Sequence, residues 1–221
     1  QTASVARTRT GVFLGVFFTD YEQRTLWHPD PTRIDAFVGT GARNSMVSGR
    51  ISYWLDISGP SITVDTACSS SLVAIHLAMR SLRDGECPMA IVGASNLMLS
   101  PRTTIYLSHV GALAPDGRSK TFDAAADGFG RGEGIAAIVL KRLSDAQRDG
   151  DPIVGVIHGS ATNHDGRSNG LTSPSARSQA DVLSQAIADA GVDPRDVGYV
   201  EAHGTGTILG DPIEFDGIRK A

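Results

Sequence analysis

The sequence predicts an α/β fold, on three observations. Short β-branched runs recur along the chain, helical apolar patterns fall between them, and glycine, 25 residues in all, punctuates the joins. Gly11–Phe18 reads as a strand of mixed apolar character, followed by a proline-marked loop at Trp27–Pro31. Ser45–Leu55 carries Met46, Val47 and Ile51 at helical spacing, and Gly59-Pro60 breaks that pattern. Ser61–Asp65 is a short strand. Cys68–Arg83 follows as a helix with Leu72, Ile75, Met79 and Leu82 on one face, and Gly85 stands where a C-terminal cap belongs.

Ala90–Leu97 is a further buried strand, and Pro101–Val110 a helix with proline in its first turn. Pro115–Glu133 is rich in Gly, Asp and Ala without periodicity, the pattern of a long functional loop. Ile135–Leu140 is an unambiguous strand, and Ser144 with Gln147 forms a capping-box pattern after it. Asp149–Pro152 separates two parts, residues 1–150 and 151–221. In the second part Ile153–Ala161 reads as a strand and Ser175–Ala190 as an amphipathic helix ended by Gly191. Tyr199–Ala202 is a last strand, and Asp211–Lys220 starts a helix.

At 221 residues, 41% hydrophobic and 20% charged, the chain can bury a true core. Its net charge of −4 and scattered cations give no footprint for nucleic acid. No apolar run approaches the roughly 18 residues of a bilayer span, and the opening residues show no charged region followed by an apolar one, so nothing argues for secretion. Two cysteines are too few for a disulfide framework, so a reducing, cytoplasmic setting is expected. No Cys/His spacing suggests a metal. Neither Gly128–Gly134 nor Gly204–Gly210 ends in the Lys-Ser/Thr of a phosphate loop. Opening on Gln1 and stopping at Ala221 inside a helical pattern, the chain reads as a piece of a longer polypeptide.

Two positions carry chemistry. Cys68, in Asp65-Thr66-Ala67-Cys68-Ser69-Ser70-Ser71, is expected where a strand turns into a helix, facing unpaired backbone N–H groups and the positive dipole end. That placement favours a thiolate nucleophile, with backbone N–H groups as oxyanion donors. A buried structural cysteine is the competing reading at equal weight, and it is the one that fits Cys87. His203, in Glu201-Ala202-His203-Gly204-Thr205-Gly206-Thr207, falls at a strand end in a turn half made of glycine. It could stabilise negative charge or exchange a proton, although a histidine satisfied in a tight turn is the commoner case. Thr205 and Thr207 offer hydroxyls to an amide-bearing arm.

These residues resemble a known family. Val64–Leu72 is similar to the active-site cysteine motif of ketosynthase (β-ketoacyl synthase) domains in type I modular polyketide synthases. Glu201–Thr207 resembles the family's first histidine motif, and Gly210-Asp211-Pro212-Ile213-Glu214 its continuation. Lys120–Asp123, Asp127-Gly128, Arg131–Gly134, Asn163, Asp165-Gly166 and Ser168–Gly170 match between them, so the similarity runs from about Thr8 to Glu214.

The resemblance implies a thiolase-like αβαβα fold of two similar halves, here the N-terminal half (1–150) and the beginning of the C-terminal half (151–221). It implies an acyltransferase that works as a homodimer within a multidomain synthase. Cys68 would take an acyl chain from the phosphopantetheine arm of an acyl carrier protein. A malonyl-type extender on carrier protein would lose CO2, and its carbanion would attack the thioester, with His203 assisting. No cofactor is bound directly. The family's second catalytic histidine and its lysine lie further downstream, so this stretch alone is expected not to complete condensation. A fatty-acid synthase condensing enzyme, a cysteine hydrolase and a catalytically incomplete dimerising fragment are the rival readings.

Overall fold

A computed structural model describes residues 5–221. They form two compact units: one takes in the chain up to Ser100 together with Gly132–Val154, the other Pro101–Arg131 together with Gly155–Ala221.

The first unit is built on a four-stranded sheet of order β2-β1-β3-β4. Its strands are β1 (Gly11–Gly15), β2 (Ser61–Val64), β3 (Met89–Asn96) and β4 (Gly134–Lys141). β1 runs parallel to both neighbours, Phe13 opposite Ile62 and Val92, whereas β4 closes the sheet antiparallel to β3. All five residues of β1 are buried because helices cover both of its faces. The alternation of a strand sends Phe13 one way and Val12 and Leu14 the other. Phe13 joins Ala90 and Val92 against Ala74, Ala78 and Leu82 of helix α4 (Ser70–Arg83). Val12 and Leu14 meet Ile57 and the Val47, Ile51 and Leu55 side chains of α3 (Ser45–Leu55).

Small residues set how closely α4 lies on the sheet. The Ala74/Ala78 stripe admits Phe13, and Gly15 has no side chain where a Cβ would stand 2.7 Å from the Ser71 nitrogen. The beginning of α4 is thereby drawn over the ends of β1 and β2. Thr63 fastens β2 to α3 by donating its hydroxyl proton to Ser48 at 2.9 Å.

The second unit contains α5 (Arg102–His109), α7 (Ala176–Ala190) and α8 (Gly210–Lys220). Ser175 caps α7, its hydroxyl accepting from the Ser178 N–H, and Gly191 ends that helix with φ +64°. Residues 110–131 are irregular, from Pro115 onward as the composition predicts, yet well tied. The Phe129 N–H donates to the Ala112 carbonyl and the Ala114 N–H to the Phe129 carbonyl, both at 3.0 Å.

Several expectations are corrected. Helix α4 begins at Ser70, not Cys68, because the Ser69 and Ser70 N–H groups first close turns onto the Thr66 and Ala67 carbonyls. β1 stops at Gly15 rather than Phe18. Two short helices unseen in the sequence follow it, α1 (Asp20–Thr25) and α2 (Val38–Ala42); both are too brief to show a helical period. The Ser144–Gln147 capping box is not made, since α6 (Leu143–Asp149) starts earlier, with Arg142, two residues before Ser144, at the cap position. Ile153–Ala161 and Tyr199–Ala202 have apolar strand patterns but no ladder among the described residues. Val154 and Tyr199 are exposed there. A strand exists only with a partner, and periodicity reports the strand's side chains without its neighbour.

Candidate active site

Between β2 and α4 the backbone makes a tight, braced turn. Ala67 adopts φ +55°, a left-handed conformation that costs a non-glycine residue about 1–2 kcal/mol. Its surroundings hold it there. The Asp65 carboxylate accepts the Ala67 N–H at 3.0 Å, and the Ser70 hydroxyl accepts the Thr66 N–H at 2.9 Å while donating to the Ala67 carbonyl at 2.7 Å. The Ser69 hydroxyl lies 2.9 Å from the Thr66 carbonyl.

Cys68 emerges from this turn exposed, one residue before the N-cap Ser69, whereas Cys87 is buried with its sulfur 3.4 Å from the Ser81 hydroxyl. The sequence pointed to Cys68. It did not show that Asp65 and Ser70 are the braces; the signal available was a side-chain acceptor on each side of a residue forced to positive φ.

In the second unit a similar division of labour surrounds His203. The Glu214 carboxylate, one turn into α8, accepts the His203 N–H at 2.6 Å and the Gly204 N–H at 2.8 Å. Such charge-assisted bonds are among the stronger ones available to a loop. The imidazole is left exposed. The Thr121 hydroxyl donates to the Gly204 carbonyl at 2.5 Å.

Asp211 is 4% exposed and ties two loops together, accepting the Phe122 N–H at 2.6 Å and the Gly206 N–H at 3.0 Å. Gly206 returns a bond by accepting the Gly128 N–H at 2.9 Å. With φ +74° and a would-be Cβ 2.7 Å from the Lys120 nitrogen, residue 206 has to be glycine. Lys120 bridges Asp127 at 2.7 Å and Asp116 at 2.9 Å, and those hydrogen bonds hold its ammonium above the ordinary lysine range. Asp211 and Glu214 are legible in the sequence only as motif letters. Their roles depend on carboxylates from α8 reaching back over five to eleven residues to backbone N–H groups.

Thr205 and Thr207 come together, their hydroxyls 3.0 Å apart, and Thr207 also accepts the Gly210 N–H at 3.1 Å at the start of α8. Among the described residues no group of three or more His, Cys, Asp or Glu side chains is placed to hold a metal ion, and no helix is long and apolar enough to cross a membrane.

A first prediction follows from Glu214. Glu214→Ala should leave α8 formed but free the two N–H groups it holds. Amide hydrogen exchange at His203 and Gly204 is then expected to rise about tenfold or more, the loss of roughly 1.5–3 kcal/mol of charged hydrogen bonding. Unchanged protection at both amides would refute the bracing role.

The chain matches two family models: "Beta-ketoacyl synthase, N-terminal domain" over residues 1–146 and "Beta-ketoacyl synthase, C-terminal domain" over residues 154–221. It is 53% identical over 215 residues to a phenolphthiocerol/phthiocerol polyketide synthase polypeptide of Mycobacterium tuberculosis, covering 97% of this chain and 14% of that protein. Another polypeptide of the phenolphthiocerol/phthiocerol polyketide synthase from the same species is 50% identical over 217 residues, 98% of this chain and 10% of its own length.

Among solved structures, the ketosynthase from module 6 of the bacillaene synthase of Bacillus subtilis 168 superposes with a TM-score of 0.90 at 41% identity, covering 99% of this chain and 36% of that one. The oxazolomycin ketosynthase domain OzmH KS7 of Streptomyces albus JA3453 gives 0.91 at 41%, covering 100% and 38%. The chain thus spans a small part of the mycobacterial proteins and little more than a third of each of these two solved chains, and it carries the thiolase-like α/β fold that the resemblance implied. Two adjoining models of one family, which between them take in nearly all of the sequence, leave a single assignment: the chain belongs to the β-ketoacyl synthase family.

Proposed function

We propose that this chain is the nucleophile-bearing portion of a polyketide synthase ketosynthase, an acyltransferase that condenses an acyl chain with a malonyl-type extender. The observation that carries the reading is Cys68, held exposed on a braced turn ahead of α4 in a chain 53% identical to part of a polyketide synthase. The Cys68 sulfur attacks the thioester carbonyl of an acyl group on the phosphopantetheine arm of an acyl carrier protein. The acyl group passes to Cys68, and the carrier's thiol leaves with the proton.

A malonyl thioester on carrier protein then loses CO2, and the electron pair of the broken C–C bond forms an enolate. The enolate carbon attacks the Cys68 thioester, forming the new C–C bond and expelling the Cys68 thiolate. His203 stabilises the enolate oxygen, and the Cys68 N–H serves the oxyanion of the condensation step. Thr205 and Thr207 offer their paired hydroxyls to the amides of the pantetheine arm. The protein binds no cofactor of its own.

The partners in this reading are an acyl carrier protein, the other domains of a multidomain synthase and a second copy of the chain, in the cytoplasm. A homodimer is supported by the position of β2 at the sheet edge beside an apolar strip of α3, where Tyr53 is 88% and Trp54 80% exposed. The polyketide relatives favour this reading over a fatty-acid synthase enzyme.

The test uses the full-length protein with an acyl thioester and a malonyl-loaded carrier protein. Release of one CO2 per new β-ketoacyl thioester is expected. Acyl transfer to Cys68 followed only by hydrolysis, without CO2 release, would replace the synthase by a hydrolase.

A further inference from the structure

Ala67 sits in a conformation where its methyl group is a liability. Its φ of +55° is one that glycine adopts freely and alanine does not. The residue is exposed, so the methyl gains no packing in return. Glycine would make the same turn with less strain. An unfavourable backbone angle that packing does not explain points to a geometry needed for function.

The bonds around Ala67 show which geometry is fixed. The φ and ψ of residue 67 are the two soft torsions between two planar peptide groups. The first plane, 66–67, is held by the Asp65 carboxylate, which accepts the Ala67 N–H at 3.0 Å. The second, 67–68, is held through the Ala67 carbonyl, which accepts the Ser70 hydroxyl at 2.7 Å and the Ser70 N–H at 3.1 Å. Ser70 is buried and cannot yield toward the sheet, because a Cβ on Gly15 would already stand 2.8 Å from the Ser70 carbonyl carbon. The C=O and N–H of a trans peptide point in opposite directions. Tying the Ala67 carbonyl to the first residue of α4 therefore aims the Cys68 N–H away from that residue.

We propose that Ala67 is a positioning residue for the Cys68 N–H: its methyl closes the conformations that glycine would open, and so keeps that donor aimed at the oxyanion of the acyl thioester. The proposal rests on the ketosynthase reading, in which the Cys68 N–H serves that oxyanion. A donor of this kind stabilises developing charge only if it is aimed before the charge appears. The exposed Cys68 sulfur needs no such aim in a reaction that builds no oxyanion.

The test compares two reactions of Cys68 in the full-length protein: acyl transfer from an acyl thioester, followed by intact mass, and alkylation by iodoacetamide. In the alkylation a sulfur–carbon bond forms, iodide leaves, the thiol proton goes to solvent, and no oxyanion develops. Ala67→Gly is expected to slow acyl transfer about tenfold, a part of the roughly hundredfold or more that a whole oxyanion donor contributes, and to leave alkylation within about twofold. Its melting temperature should equal or exceed the parent's, because the strain is relieved. A merely structural role would move rate and stability in the same direction. Ala67→Ser keeps a Cβ and should recover most of the acyl-transfer rate. Unchanged acyl transfer in Ala67→Gly, an equal fall in alkylation, a lower melting temperature, or Ala67→Ser as slow as Ala67→Gly would each overturn the proposal. A parent protein that takes no acyl group on Cys68 would overturn the ketosynthase reading, and this proposal with it.

Discussion

Cys68→Ala in the full-length protein is expected to abolish acyl-adduct formation in intact-mass analysis and to reduce condensation on the order of a million-fold, the scale seen when an enzyme loses its nucleophile. The structure makes this a clean substitution. The Cys68 side chain is exposed, and the bonds that brace its turn run through Asp65, Thr66, Ala67, Ser69 and Ser70 instead. Removing the sulfur should therefore leave the melting temperature nearly unchanged, within about 0.5 kcal/mol. Cys87→Ala provides the contrast: its thiol is buried in the Phe13 cluster, so it should keep the adduct and lose about 1–2 kcal/mol of stability. An adduct that persists in Cys68→Ala and disappears in Cys87→Ala would reverse the assignment. A slow adduct in Cys68→Ser would show that the turn also presents an oxygen nucleophile, a weaker one without an adjacent base.

Asp211→Ala is expected to carry the largest stability cost of any single change at the histidine loop, about 2–5 kcal/mol. Both of its carboxylate oxygens are in use, one on the Phe122 N–H and one on the Gly206 N–H. Alanine would leave two donors buried or half-buried without an acceptor, and water has little access to a site only 4% exposed. Phe122 sits at φ +57°, so its bond to Asp211 also holds a strained residue in place. Asp211→Asn preserves shape and one acceptor oxygen, and roughly half the loss should be recovered in denaturant melts. Equal stability of Asp211→Ala and the parent would show that the two loops are held by other means.

Legibility followed the range of the interactions. β3 and β4 were readable to within a residue or two because their apolar runs are long, buried or paired along their whole length, and bounded by glycine and charge. α7 was readable because a serine cap, an amphipathic face and a terminal glycine lie within one stretch of sequence. Cys68 and His203 stood out as reactive residues in loops, and the family motifs around them raised both above the structural alternatives. The helices α1 and α2 were missed, having six and five residues and no full amphipathic repeat. The two strands expected at 153–161 and 199–202 were read from side-chain pattern alone and have no ladder among the described residues.

By itself the sequence determined the α/β class, the order of the main elements, the nucleophile candidate and its family, because each rests on neighbours a few residues apart. Only the tertiary structure decided what holds the chemistry in place. Gly15 admits the beginning of α4, Ser70 and Asp65 brace the cysteine turn, and Asp211 and Glu214 reach from α8 to loop N–H groups. The reason is physical: whether a backbone N–H is satisfied depends on which acceptor the folded chain brings within about 3 Å of it, and for Phe122 that acceptor lies 89 residues away.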